Sequence, residues 1–236
     1  MTSMVLAYHA LDESGSVVST SREKFRQQMQ SLADAAIPVV GLDQVVHFPG
    51  AVAITFDDGY VSVLEHGIPV LAKHGFPSTT FVVTAQCGKG NDWDQRGRAI
   101  PKLPVMSWTQ LRELLLAGMT LGSHSHTHPR LNASNAREEL QRSKQELEDH
   151  LGICASLFCY PYGEADTAVR EAVAEQFECA CTTELAFVRP DADPLWLPRI
   201  DAYYAPADLS TLFTSSGRLY LATRALLRKM KRWLPR

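Results

Sequence analysis

Short apolar runs alternate along the chain with stretches in which apolar side chains return every third or fourth position. The runs at residues 5–8, 38–42, 52–56, 79–84, 119–123, 156–160, 179–183 and 195–200 predict strands. Most are too apolar to have one wet face, which is the pattern of parallel strands covered on both sides. The periodic stretches predict helices with legible ends. Ser21 opens one whose inner face is Phe25, Met29, Leu32 and Ala36, and Ser107 with Gln110 forms a capping box that opens another, stopped at Gly118. A third runs from near Asn135 to Leu151, turns Leu140, Leu147 and Leu151 inward, and ends at Gly152. Strands alternating with helices predict an α/β fold, a distorted (β/α) barrel, with a doubly wound open sheet as the alternative. No glycine-rich nucleotide loop follows the first strand, which favours the barrel. Residues 86–105 read as one long irregular loop over the site.

Of 236 residues, 45% are hydrophobic and 21% charged, enough for one domain with a sizeable core. The first ten residues lack a basic segment, and no stretch approaches the roughly 18 apolar residues that span a bilayer. The expected location is therefore the cytoplasm. Five cysteines with no C-x-x-C pair predict reduced core thiols. Charge is unevenly placed, because seven of the 23 Lys and Arg, and no acid, lie in residues 218–236.

Candidate chemistry concentrates at two predicted strand ends. Asp57 and Asp58 close the apolar run 51–56 and precede Gly59; His124-Ser-His-Thr-His128 follows 119–123. Two adjacent carboxylates cannot both be buried and ionised without a compensating cation or a shared proton. A divalent metal held by one carboxylate and two imidazoles supplies that cation and leaves positions open for water. His128 precedes Pro129, which disfavours a regular helix there, so a strand running into a loop fits better. His126 stays open as a ligand unless a turn separates it from its neighbours. A solvated loop and a turn before a helix are the plainer readings of these segments.

In order and spacing, Thr55-Phe-Asp-Asp-Gly59, Ser123-His-Ser-His-Thr-His128-Pro129 and Phe158-Cys-Tyr-Pro-Tyr-Gly163 resemble the first three motifs of the polysaccharide deacetylase (NodB-homology) family over residues 4–205. The resemblance implies a distorted (β/α) barrel of the polysaccharide deacetylase type, a divalent metal usually taken as zinc, and hydrolysis of N-acetyl groups from amino sugars. Carried over by position, it makes Asp57 the catalytic base and Asp58, His124 and His128 the metal ligands. Cys159 stands where many members carry an arginine that holds the base, so another cation is needed. Arg199 is the candidate, with an ion pair to Asp201 as its ordinary role. The backbone N–H of Tyr162 is expected in the oxyanion hole, and its ring serves equally as a groove wall.

The family's late histidine is missing, since none follows His150. The sequence resembles instead the branch with an N-terminal Tyr-His, which makes His9 the general acid; a structural histidine is the alternative. His47, His66, His74 and His150 read as surface residues, and Trp93 as a sugar-stacking or loop-anchoring side chain. The expected substrate is an N-acetylated glycan or lipid-linked precursor of cell-surface polysaccharide, with no nucleic-acid partner. A non-sugar amide hydrolase and a silent carbohydrate-binding relative are the competing readings. Residues 1–217 form the expected catalytic domain and 218–236 a basic amphipathic helix. Its stripe of Leu219, Ala222, Leu226, Met230 and Trp233 either docks on the barrel or lies on a membrane.

Overall fold

Alternate residues of the first strand face two different apolar layers, and this alternation organises the whole chain. The structure, a computed structural model, describes residues 2–94 and 100–233, with only the backbone of residues 94, 229 and 231–233. From β1 (Met4–Tyr8), Met4, Leu6 and Tyr8 pack outward against Phe25, Met29 and Leu32 of α1 (Arg22–Asp34). Val5 points the other way, into a second cluster with Ala53, Phe81, Leu157, Cys159, Cys181 and Leu197. That second cluster is the interior of a curled parallel sheet.

The sheet contains β1, β4 (Val52–Phe56), β5 (Thr79–Val82), β6 (Thr120–Ser123), β7 (Leu157–Cys159), β8 (Cys179–Cys181) and β9 (Ile200–Asp201). Its order, β8-β7-β6-β5-β4-β1-β9, is sequential apart from the return of the last strand beside the first. A doubly wound sheet reverses direction from a central strand, so that alternative is excluded. A separate parallel pair, β2 (Ala10–Leu11) with β3 (Ser19–Thr20), follows β1 and has no counterpart in the predicted strands.

The predicted strand at 195–200 is divided between the two edges of the sheet. Leu197 bridges Cys181, with Leu197 N–H donating to Ala180 O at 2.8 Å and Thr182 N–H to Leu197 O at 2.9 Å. Three residues later Ile200 and Asp201 pair with Leu6 and Ala7 of β1. One short segment thus closes the ring. The predicted strand at 38–42 is reduced to a bridge between Val39 and Val52 before a 3-10 turn at Leu42–Gln44.

The helices cover the outside. Ser21 caps α1 through Lys24 N–H, but the helix ends at Asp34, and Ala36 stands exposed at φ 51° instead of on the inner face. Ser107 and Gln110 form the reciprocal capping box of α3 (Trp108–Leu116). After α4 (Ala136–Leu151), Gly152 takes φ 69°, the left-handed cap expected of it. Two shorter helices, α2 (Ile68–His74) and α5 (Thr167–Ala174), complete the cover, and α6 (Ser215–Trp233) ends the described chain. Among the described residues, no helix is long and apolar enough to cross a membrane.

Candidate active site

Each predicted site residue lies at the carboxyl end of the sheet or reaches it. Asp57 and Asp58 follow β4, His124 follows β6, and His9 follows β1. Strand alternation turns Asp57 inward above Ala53 and Thr55, while Asp58, at φ 71°, breaks from the strand and aims its carboxylate toward the histidines. Non-glycine residues seldom take positive φ, and the cost is tolerated where geometry serves chemistry.

Asp58, His124 and His128 converge, all three buried. Asp58 Oδ1 lies 3.6 Å from His124 Nε2 and 3.8 Å from His128 Nε2, and the two nitrogens are 3.2 Å apart. A tetrahedral ion with bonds of about 2.0–2.1 Å spaces its ligands by roughly 3.4 Å. The three edges match that figure and are long for direct hydrogen bonds to the carboxylate. His124 Nδ1 faces the Cys159 carbonyl at 2.7 Å, which places its proton there and leaves Nε2 as the lone-pair donor. Burial pushes His124 down to about 4 and His128 well below its ordinary value, so both are neutral, as ligation requires. The donor set fits a divalent metal.

Ser125 separates His126 from the other two. At φ 65° it turns the chain, and its hydroxyl accepts from His128 N–H at 3.0 Å. His126 Nδ1 goes instead to Thr84 Oγ1 at 2.9 Å and Glu146 at 3.3 Å, outside the cluster. On the other side of the loop, one carboxylate of α4, Glu139, accepts from the N–H groups of His126 and Thr127 at 2.9 and 2.8 Å and from the Thr127 hydroxyl at 2.7 Å. Nothing in the sequence marks Glu139 for this role.

Asp57 is occupied by Arg199. Nη1 donates to Oδ1 at 2.6 Å and Nη2 to Oδ2 at 2.7 Å, while Nε donates to Thr182 O and Nη1 also to Thr55 Oγ1. Asp201 caps Tyr203 N–H instead, so the ordinary pairing considered for Arg199 is not made. Burial opposes ionisation of Asp57, but the guanidinium outweighs it and holds the carboxyl far below its usual range. Cys159 also receives Arg199 Nη2 at 3.0 Å, and together with Asp57 and His124 it forms a second convergent triplet. Burial holds that thiol protonated, and Arg199 already supplies the positive charge on that side. The Asp58 set is therefore the better metal site.

His9, its side chain 23% exposed, sets Nε2 3.7 Å from Asp57 Oδ2, across the carboxylate from the interior. Its neighbour Tyr8 faces outward, giving its hydroxyl to Gln28 at 2.7 Å. Tyr162 sits at φ 60° and ψ 0°, with its ring 4.8 Å from that of His128 and under Arg130. A Cβ at the following Gly163 would lie 2.1 Å from Thr183 Oγ1, so only glycine fits there. The Trp93 ring stands 5.4 Å from His128, and its buried Nε1 has no partner among the described residues. Residues 95–99 of the predicted loop lie outside the described residues. Among the surface histidines, His74 and His150 stack on Phe76 and Trp108. Cys154 is exposed, which corrects the expectation of core thiols for that residue; none of the five cysteines is bridged.

Away from these residues, a cavity of about 590 Å³ lies between α1 and α2 among mixed charges such as Glu23, Arg26 and Lys73. No metal-binding triplet lies there.

Comparison with known proteins agrees with the geometry. A sequence model described as polysaccharide deacetylase matches residues 47–177. A poly-beta-1,6-N-acetyl-D-glucosamine N-deacetylase of Staphylococcus epidermidis is 25% identical over 202 residues, covering 77% of this chain and 67% of that protein. The Bacillus subtilis protein YxkH is 23% identical over 76% of this chain and 64% of its own length. The chain thus spans about two thirds of these curated relatives. Among solved structures, IcaB from Ammonifex degensii superposes with a TM-score of 0.75 at 26% identity, over 95% of this chain and 97% of that one. A Streptococcus pyogenes deacetylase, PplD, in complex with acetate has the same fold at a TM-score of 0.75 and 19% identity, over 91% and 99% of the two chains.

Proposed function

The chain belongs to the polysaccharide deacetylase family, and from that premise we propose that it is a metal-dependent hydrolase removing N-acetyl groups from an amino-sugar polymer. Its nearer substrate class is a β-1,6-linked N-acetylglucosamine glycan, in polymeric or lipid-linked form, during cell-surface polysaccharide synthesis. The observation that carries this reading is the bidentate Arg199–Asp57 pair beside the convergent Asp58, His124 and His128, with His9 across the carboxylate. A divalent ion, zinc by the chemistry of one oxygen and two nitrogen donors, would be held by those three residues. When bound, it polarises the acetamide carbonyl and lowers the pKa of water at its open position to near ~7.

The protein's own groups do the rest. Asp57, kept ionised by Arg199, accepts a proton from the attacking water. A carboxylate held so low is a weak base, and the lowered pKa of the water narrows that gap. The Tyr162 backbone N–H, presented by the left-handed turn, stabilises the developing oxyanion. His9 protonates the departing amine, and the products are acetate and a free amino sugar. Trp93, beside His128, offers its ring to the sugar.

The test is acetate release by metal-loaded and chelator-stripped protein on β-1,6- and β-1,4-linked N-acetylglucosamine oligomers and on simple acetamides. The reading expects metal-dependent release favouring the β-1,6 oligomers. Release from acetamides alone would replace it with a general amide hydrolase, and no release after loading would leave a carbohydrate-binding protein.

A further inference from the structure

Helix α6 turns outward the kind of face that helices ordinarily bury. It leans on the body through Gly217, Leu221 and Ala225, spaced four residues apart. At Gly217 a Cβ would come within 2.1 Å of the Thr211 carbonyl, so the close approach depends on glycine. Arg228 donates to Thr183 O at 3.0 Å, and the Tyr220 hydroxyl to Tyr204 O at 3.1 Å. The stripe identified in the sequence lies on the other side: Leu219, Leu226 and Met230 are 69%, 60% and 56% exposed, and Ala222 is exposed between them. At 100° per residue these four fall within an arc of about 80°, opposite the docked arc. The docking of this stripe on the barrel is therefore excluded for its described residues. Trp233, the remaining member, has its side chain outside them.

We propose that this face is a docking surface for an anionic lipid membrane. Residues 218–236 carry seven basic residues and no acid, so every charge in this segment is positive. A second copy of the chain would bring seven cations against seven, which opposes self-pairing through this face. A lipid surface meets both requirements, taking the stripe into the headgroup and acyl boundary and pairing the flanking cations with anionic headgroups. The contact is peripheral, since α6 is too polar to cross a bilayer. Thr183, on which Arg228 rests, also gives its hydroxyl to the Tyr162 carbonyl, so the docked helix stands at the catalytic end of the sheet. This surface is independent of the reaction assigned above.

Sedimentation of the full chain with phosphatidylglycerol-containing vesicles, and with phosphatidylcholine vesicles alone, tests it. Binding is expected on the anionic vesicles at low salt and should fall at least about tenfold on the neutral ones or in about 0.5 M salt. Leu226→Glu with Met230→Glu, both exposed, should weaken binding by a similar factor while leaving the melting temperature unchanged. If that variant unfolds, Arg218→Gln with Arg224→Gln, which spare the stripe, carry the same test. Absence of binding by the full chain, or binding that survives both variants, overturns the proposal. Self-association abolished by Leu226→Glu without vesicle binding would assign the face to a second copy.

Discussion

Three residues of the site hold backbone angles that side chains disfavour: Asp58 at φ 71°, His128 at φ 59° and Tyr162 at φ 60°. Such conformations cost on the order of 1–3 kcal/mol each and persist where the surroundings impose them. Two of these residues are proposed ligands and the third is the proposed oxyanion donor, so the division of labour is open to test. Asp58→Ala or His128→Ala is expected to abolish bound metal, measured by elemental analysis after gel filtration. Asp57→Asn should retain the metal yet lose acetate release; equal metal loss in all three would erase the distinction between base and ligand. His9→Ala should retain metal and reduce kcat by roughly 10²- to 10⁴-fold, the range of a lost proton donor. Unchanged turnover would assign the proton to water. The acid pair and the histidines were legible in the sequence because their chemistry needs a cation. Arg199 was legible by the same logic, since Cys159 left Asp57 without one. The Cys159 carbonyl that orients His124 was not, because a main-chain contact across strands leaves no residue-type signal.

At the scale of elements, most strands and all three predicted helices were readable from their periodicity and caps, and most strand ends lay within two residues. The errors share a cause. Strands of two or three residues such as β2 and β9 are too short to show a period, and the segment at 195–200 has its pairing split between two edges. Helix α4 does more than cover the sheet. Glu139 collects three donors from the loop joining His124 to His128, and Ser143 joins Ser123 at 2.6 Å. This clamp fixes the spacing of the two histidines. Glu139→Ala should weaken metal affinity by about 10- to 100-fold, the usual effect of removing an outer partner of a metal site. Chelator competition would measure it, and saturating metal should restore most of the turnover. Unchanged affinity would make Glu139 a helix surface residue only.

For the whole molecule, keeping two imidazoles neutral makes the metal-free protein sensitive to acid. Unfolded, His124 and His128 take up protons near 6.5; folded, burial moves His124 to about 4 and His128 well below 6.5. The unfolded state therefore binds more protons below pH 6.5, and stability falls as pH drops from there toward about 4. The melting temperature of the stripped protein should decline between pH 7 and 5, and replacing both histidines with glutamine should flatten that decline. A slope unaffected by the substitutions would assign it to other groups.

The segment that closes the ring also carries Arg199. Peeling it from Cys181 and Leu6 would withdraw the guanidinium and strand the Asp57 carboxylate in the interior. Leaving one partner of a buried pair unmatched typically costs about 3–5 kcal/mol. The Arg199–Asp57 ion pair is thus also a latch, and the seam should open only when the whole domain does. In hydrogen exchange, the amides of Thr182 and Leu197 should be protected like those of β4 despite lying at sheet edges. Asp57→Asn, which removes the charge to be stranded, should let them exchange by local opening, roughly a hundredfold or more faster. The cation that keeps Asp57 ionised is then also what keeps the barrel shut.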